Sequence, residues 1–214
     1  MKHSIFLTVA LISGLTLFGC ATAKVDVQQA KTDNDIKSLV MYLGASSGDE
    51  DEKQTQESVI DYILARRAEA KPIVIDALVN GKGSLRYGAT KVLWKWADAD
   101  FIEPLFAALA DASVSTRSMA SDDFQKQIPE LDEAAREKTA LRLVACMEKE
   151  REAMVLAAYA SSLAVFAVKA THEPLVALSD GYFETRTKKY NVHTIGEAIM
   201  FGANMKKAVE ATAP

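Results

Sequence analysis

A short pattern recurs in this chain at a fixed offset, and the recurrence limits the folds open to it. Leu85-Arg86, followed by Ala89 and Leu93, returns further along as Thr116-Arg117, followed by Ala120 and Phe124. Within each copy the first, fifth and ninth residues share one face of a helix. Each copy also follows a helical pattern with a proline near its start, Pro72 in KPIVIDAL and Pro104 in EPLFAAL. A third such segment, EPLVAL, puts Pro174 about two periods beyond Pro104. One helix pair cannot bury its apolar face alone, so helical patterns at this period imply pairs stacked side by side. The expected fold is all-α: a right-handed stack of antiparallel helix pairs, an α-solenoid. The repeat is regular between about residues 70 and 128 and degenerate in the C-terminal half. An irregular helical bundle is the alternative.

The clearest unit runs from Asp98 to Phe124. Asp98 or Asp100 can cap a helix, and Glu103 stands three residues after Asp100 as in a capping box. Ile102, Leu105, Phe106 and Leu109 then share a face, and Asp111-Ala112-Ser113 breaks the run before Val114. Asp98, Ile102, Leu105, Leu109, Asp111, Val114, Arg117, Ala120 and Phe124 follow the pattern of a short HEAT-like repeat of the PBS-lyase type, which this stretch resembles. The resemblance implies that Arg86 and Arg117 are equivalent and that Arg117 meets an acidic residue of the turn, Asp111.

The N-terminus carries a separate signal. Lys2 and His3 precede an uncharged apolar stretch from Ile5 to Phe18, which is too short to span a bilayer and reads as a secretory signal peptide. Leu17-Phe18-Gly19-Cys20 resembles a bacterial lipobox, with Phe18 departing from the usual small or aliphatic residue. The resemblance implies cleavage before Cys20 and its acylation, with palmitate among the chains. The alternative is an ordinary signal peptide cut near Ala21-Thr22-Ala23. Ala21, where Asp resembles an inner-membrane retention signal, favours the outer membrane, facing the periplasm. The expected organisation is a lipoprotein signal peptide over 1–19, a flexible tether over 20–31 and one helical repeat domain over 32–210.

Charge and chemistry then narrow the function. The chain carries 25 basic and 29 acidic residues, a net charge of −4, which argues against nucleic acid as a partner. With Cys20 acylated, only Cys146 remains, so no intrachain disulfide forms. His172 and His193 stand well apart in the chain without companion cysteines, so no metal and no cofactor is expected. Gly44-Ala45-Ser46-Ser47-Gly48 matches G-x-S-x-G, but a helical pattern (Ile36, Leu39, Val40, Leu43) precedes it where the nucleophile elbow needs a strand. Residues 54–69 read as one helix, Pro72 opens the next, and Ser84 caps the one after. The charge-free stretch Ala153–Val168 reads as a central buried helix, and Gly181 ends the helix that Glu173-Pro174-Leu175 opens. A last helix is expected within 186–203, its tail fraying after Val209.

The best-supported expectation is a lipid-anchored periplasmic scaffold, without catalysis, that binds another envelope protein or peptide. A periplasmic serine hydrolase using Ser46 and a passive structural envelope lipoprotein are the alternatives. A partner would meet the second helices off their buried stripe, at Tyr87, Lys91, Trp94, Lys95, Asp122 and Gln125. Exposed aromatics beside charges are the composition of such patches. The basic, aromatic insert around Tyr182, Arg186 and Tyr190 would form the rim. Trp94 and Trp96 lie about 200° apart around a helix, so Trp96 is assigned to the core and Trp94 to the outside.

Overall fold

The structure is a computed structural model that describes residues 25–46, 49–184 and 195–214. The leader, Cys20, Arg186, Tyr190 and His193 lie outside the described residues, and of Tyr182 only the helical backbone is described.

The described chain is all-helical. Its α-helices are α1 Val27–Thr32, α2 Ile36–Ala45, α3 Glu50–Leu64, α4 Arg67–Val79, α5 Ser84–Leu93, α6 Ile102–Ala108, α7 Val114–Gln127, α8 Glu133–Met147, α9 Ala153–Phe166, α10 His172–Glu184 and α11 Ile195–Thr212. Short 3₁₀ turns at Ala99–Phe101, Ile128–Glu130 and Lys169–Thr171 precede α6, α8 and α10. Side-chain caps fix several starts. Asp26, Asp35, Asp49, Ser113 and Asp132 accept from backbone N–H groups of α1, α2, α3, α7 and α8, and Asp98 does so for the 3₁₀ turn before α6.

Several expected boundaries move. Residues 27–31, expected to belong to a flexible tether, are helical instead: Ala30 is buried, and Val25 and Val27 pack on the core. Residues 54–69 are not one helix. The chain leaves helical geometry at Arg66, whose guanidinium stacks 3.6 Å from the Tyr62 ring, and α4 begins at Arg67. Pro72 therefore lies inside α4 rather than opening it. Gly83 (φ +53°), not Ser84, is the cap residue of α5. Gly181 does not end α10, which continues to Glu184, and α11 runs on to Thr212, buried and bonded to the Ala208 carbonyl at 2.9 Å.

The core runs along one row of helices. α2 packs on α5, α5 on α7, α7 on α9, and α9 on α11, while α4, α6, α8 and α10 flank α5, α7, α9 and α11. α9 sits between α7 and α11 and buries ten of its residues, as its lack of charge requires. Trp96 is 3% exposed and meets Phe101 edge-on at 5.1 Å. Phe106 of α6 and Phe124 of α7 meet at a tilt, their ring centres 4.8 Å apart.

Candidate binding surface on α5 and α7

Trp94 is the C-cap residue of α5 and is 49% exposed, two residues before the buried Trp96. The Lys126 ammonium of α7 lies 4.2 Å from the centre of its ring, a cation–π contact across the seam between the two helices. One turn before Lys126 on α7 is Asp122, whose Oδ1 accepts from Gln125 Nε2 at 3.3 Å. The same Gln125 amide donates to Ser161 Oγ of α9 at 3.2 Å. Trp94, Lys126, Asp122, Gln125 and Ser161 thus span three successive helices. Burial pushes the Asp122 carboxyl up to about 6.

The remaining expected residues sit elsewhere. Lys91 donates to the Leu43 carbonyl at 2.7 Å and lies 5.1 Å from the Tyr87 ring. It thereby closes the C-terminal end of α2, and burial pulls its ammonium pKa down. Tyr87 and Lys91 thus belong to the α2–α5 seam, where the register of α5 carries them. Lys95 turns to Asp61 at 3.8 Å, an exposed pair. Lys126 and Ser161 are absent from the expected set. Lys126 is recoverable from sequence, because it shares a helical face with Asp122 four residues earlier. Ser161 carries no signal in a stretch of alanines and serines.

The turn arginines differ in part from expectation. Arg86 and Arg117 are equivalent: each donates to a carbonyl of its own turn, Val79 for Arg86 (2.9 Å) and Asp111 and Ala112 for Arg117 (2.9 and 3.2 Å). The carboxylate partners, however, come from the following turn. Arg86 takes Asp111 at 2.7 Å, and Arg117 takes Glu150 at 2.8 Å. The Asp111 carboxylate is therefore engaged by Arg86, and only its carbonyl is left for Arg117. Asp111, Arg117, Glu150 and the half-buried Cys146 line a cleft of about 360 Å³. Burial also pushes the Cys146 thiol up, away from the reactive thiolate.

Ser46 caps the C-terminal end of α2, and its hydroxyl donates to the Leu43 carbonyl at 2.9 Å. The G-x-S-x-G string therefore begins on a helix rather than on a strand. Gly44 serves a packing role: a Cβ there would lie 1.8 Å from the Ser84 carbonyl oxygen of α5. His172 Nδ1 lies 3.2 Å from Thr212 Oγ1, joining α10 to the end of α11. Among the described residues there is no group of three His, Cys, Asp or Glu able to hold a metal, and no helix long and apolar enough to cross a membrane. No family model matches the chain, and no curated protein or solved structure matches it.

Proposed function

We propose that this chain is an α-solenoid of HEAT-like helix pairs, anchored to the periplasmic face of the outer membrane through an acylated Cys20, and that it binds another envelope protein or peptide without catalysing a reaction. The solenoid reading is supported by Arg86 and Arg117, which tie each turn to the next in the same way, one repeat apart. The observation that carries the binding reading is Trp94. A tryptophan half open to solvent, with a cation over its ring and a polar relay beside it, is the composition of a contact patch. The apolar ring supplies area at little entropy cost, and Asp122 and Gln125 supply directional polar contacts. The Tyr182, Arg186 and Tyr190 rim remains part of this proposal. Nothing among the described residues favours the hydrolase, since the Ser46 hydroxyl is spent on a carbonyl of its own helix.

The test is site-specific photo-crosslinking in intact cells, with the probe at position 94 and a control probe at Lys138, an exposed residue of α8. A discrete adduct at position 94 that is absent at 138 and lost in Asp122→Ala supports the patch. Identical patterns at both positions, or no adduct at either, count against it and favour the passive structural lipoprotein.

A further inference from the structure

Asp123 stands where a core residue belongs. It follows Val92 at the interval that separates Arg117 from Arg86, one repeat on, and both Asp123 and Val92 are fully buried. Thr116, Ala120 and Gln127 share its side of α7 and are buried with it. Gln127 is well satisfied: its amide donates to the Trp96 and Asp123 carbonyls at 3.3 and 3.4 Å, and its Oε1 accepts from the Asp98 N–H at 2.7 Å. The Asp123 side chain has nothing comparable. Neither carboxyl oxygen has a hydrogen-bond partner among the described residues.

The cations around it are committed elsewhere. On α7 itself Lys126 reaches out over Trp94, and Arg117 is held by Glu150. From α5, Arg86 is held by Asp111 and Lys91 by the Leu43 carbonyl, and beyond its end Lys95 faces Asp61. α6 brings Glu103, engaged by Arg142. α9 brings no charged residue, only the Tyr159 phenol. The turn after α7 brings the exposed Glu130. The neighbouring Asp122 adds like charge. An ionised carboxylate in such a place lacks both a counter-ion and a donor, so the folded state excludes it.

We propose that Asp123 is an acid-set latch in the packing of α5, α7 and α9: as a neutral acid it completes the core, and on losing its proton it loosens α7 from its neighbours. Burial, with the Asp122 charge adding and Lys126 opposing, holds its carboxyl well above the usual carboxylate range. The sign follows. A folded-state pKa above the unfolded one means the folded chain binds the extra proton, so stability falls as pH rises beyond about 4. Each pH unit in that window weakens the folding constant about tenfold for this one proton. Because α7 also carries Asp122 and Gln125, loosening it would unseat the Trp94 patch; this last step rests on the binding reading, while the latch does not.

The experiment is a series of thermal melts of the full-length protein in detergent between pH 4 and 8. Asp122→Asn serves as the background, so that its neighbour's titration is removed. Expected is a melting temperature that falls with rising pH, and a flatter profile once Asp123→Asn is added. Parallel profiles in the two variants overturn the proposal. Should Asp123→Asn fail to fold, the carboxyl carbon of Asp123 in the unaltered protein is followed by NMR. A resonance that stays in its neutral position through pH 6 supports the latch, and one that titrates near pH 4 sinks it.

Discussion

Arg117 shows how one side chain joins three parts of the chain. Its guanidinium donates to the Asp111 and Ala112 carbonyls and, through Nε and a terminal nitrogen, to both oxygens of Glu150. Both side chains are nearly buried, 15% and 10% exposed, so the ion pair is shielded from salt. The weight of such a pair lies in what its loss leaves behind. Arg117→Ala takes the counter-ion from a nearly buried carboxylate, which keeps only its Arg151 and Glu152 N–H donors, and leaves two carbonyls without their donor; the expected cost is about 3 kcal/mol of unfolding free energy. Glu103→Ala, which breaks the exposed pair with Arg142 and leaves that guanidinium over Phe106, should cost under about 1 kcal/mol despite the short 2.7 Å contact. Chemical denaturation of both variants checks the contrast; equal losses would mean that burial does not govern the pair.

α2 and α5 approach each other backbone to backbone, and two glycines make it possible. A Cβ on Gly88 would lie 1.8 Å from the Val40 carbonyl oxygen, and one on Gly44 would strike the Ser84 carbonyl. Alanine is the better helix former by about 1 kcal/mol, but the atom in the way is backbone and cannot swing aside. Gly88→Ala should therefore destabilise by about 2 kcal/mol or more, the overpacking loss exceeding the propensity gain. Gly202 of α11 has nothing within 4 Å of its would-be Cβ. Gly202→Ala should stabilise by about 0.5–1 kcal/mol. Melting curves of the two variants read both signs. The same elements show what the sequence holds. Ile36, Leu39, Val40 and Leu43 announce α2 by spacing, angle alone sorts Trp96 from Trp94, and the lack of charge assigns α9 to the centre. The break at Arg66 is hidden, since an arginine after Leu64 and Ala65 gives no stop signal and only its stacking on Tyr62 marks the turn. The glycine contact is hidden for another reason: α2 and α5 are distant in sequence, and Gly44 fits a helix end equally well. Of the candidate surface, Trp94, Asp122 and Gln125 are legible as residues off the buried stripe. Lys91 is not, because an ammonium that caps another helix looks the same in sequence as one in water.

At the scale of the molecule, two carboxyls set opposite slopes on stability. Burial works to raise Glu150, but hydrogen bonds from Arg117 and from the Glu152 and Arg151 N–H groups outweigh it and hold the carboxyl below its ordinary range. A lowered folded-state pKa gives stability that is fully present above about pH 4.3 and is lost as pH falls through the lower folded value. Asp123 acts in the other direction. The melting temperature should therefore peak on the mildly acidic side, and Glu150→Gln should flatten the acid limb only. At the N-terminus, Cys20→Ala should release the protein from membranes or leave it unprocessed. Unchanged membrane fractionation with unaltered gel mobility would count against acylation. The position of α9 has a consequence for how the chain is made. One flank is covered by α7, already synthesised, and the other by α11, where Phe201, Met205 and Ala208 are buried and Asn204 donates to the Ala157 carbonyl at 2.9 Å. A chain made from its N-terminus has this uncharged helix in hand before the segment that shields it exists. During that interval one flank of the uncharged helix is uncovered, and a premature stop before Ile195 should yield inclusion bodies rather than a shortened soluble protein.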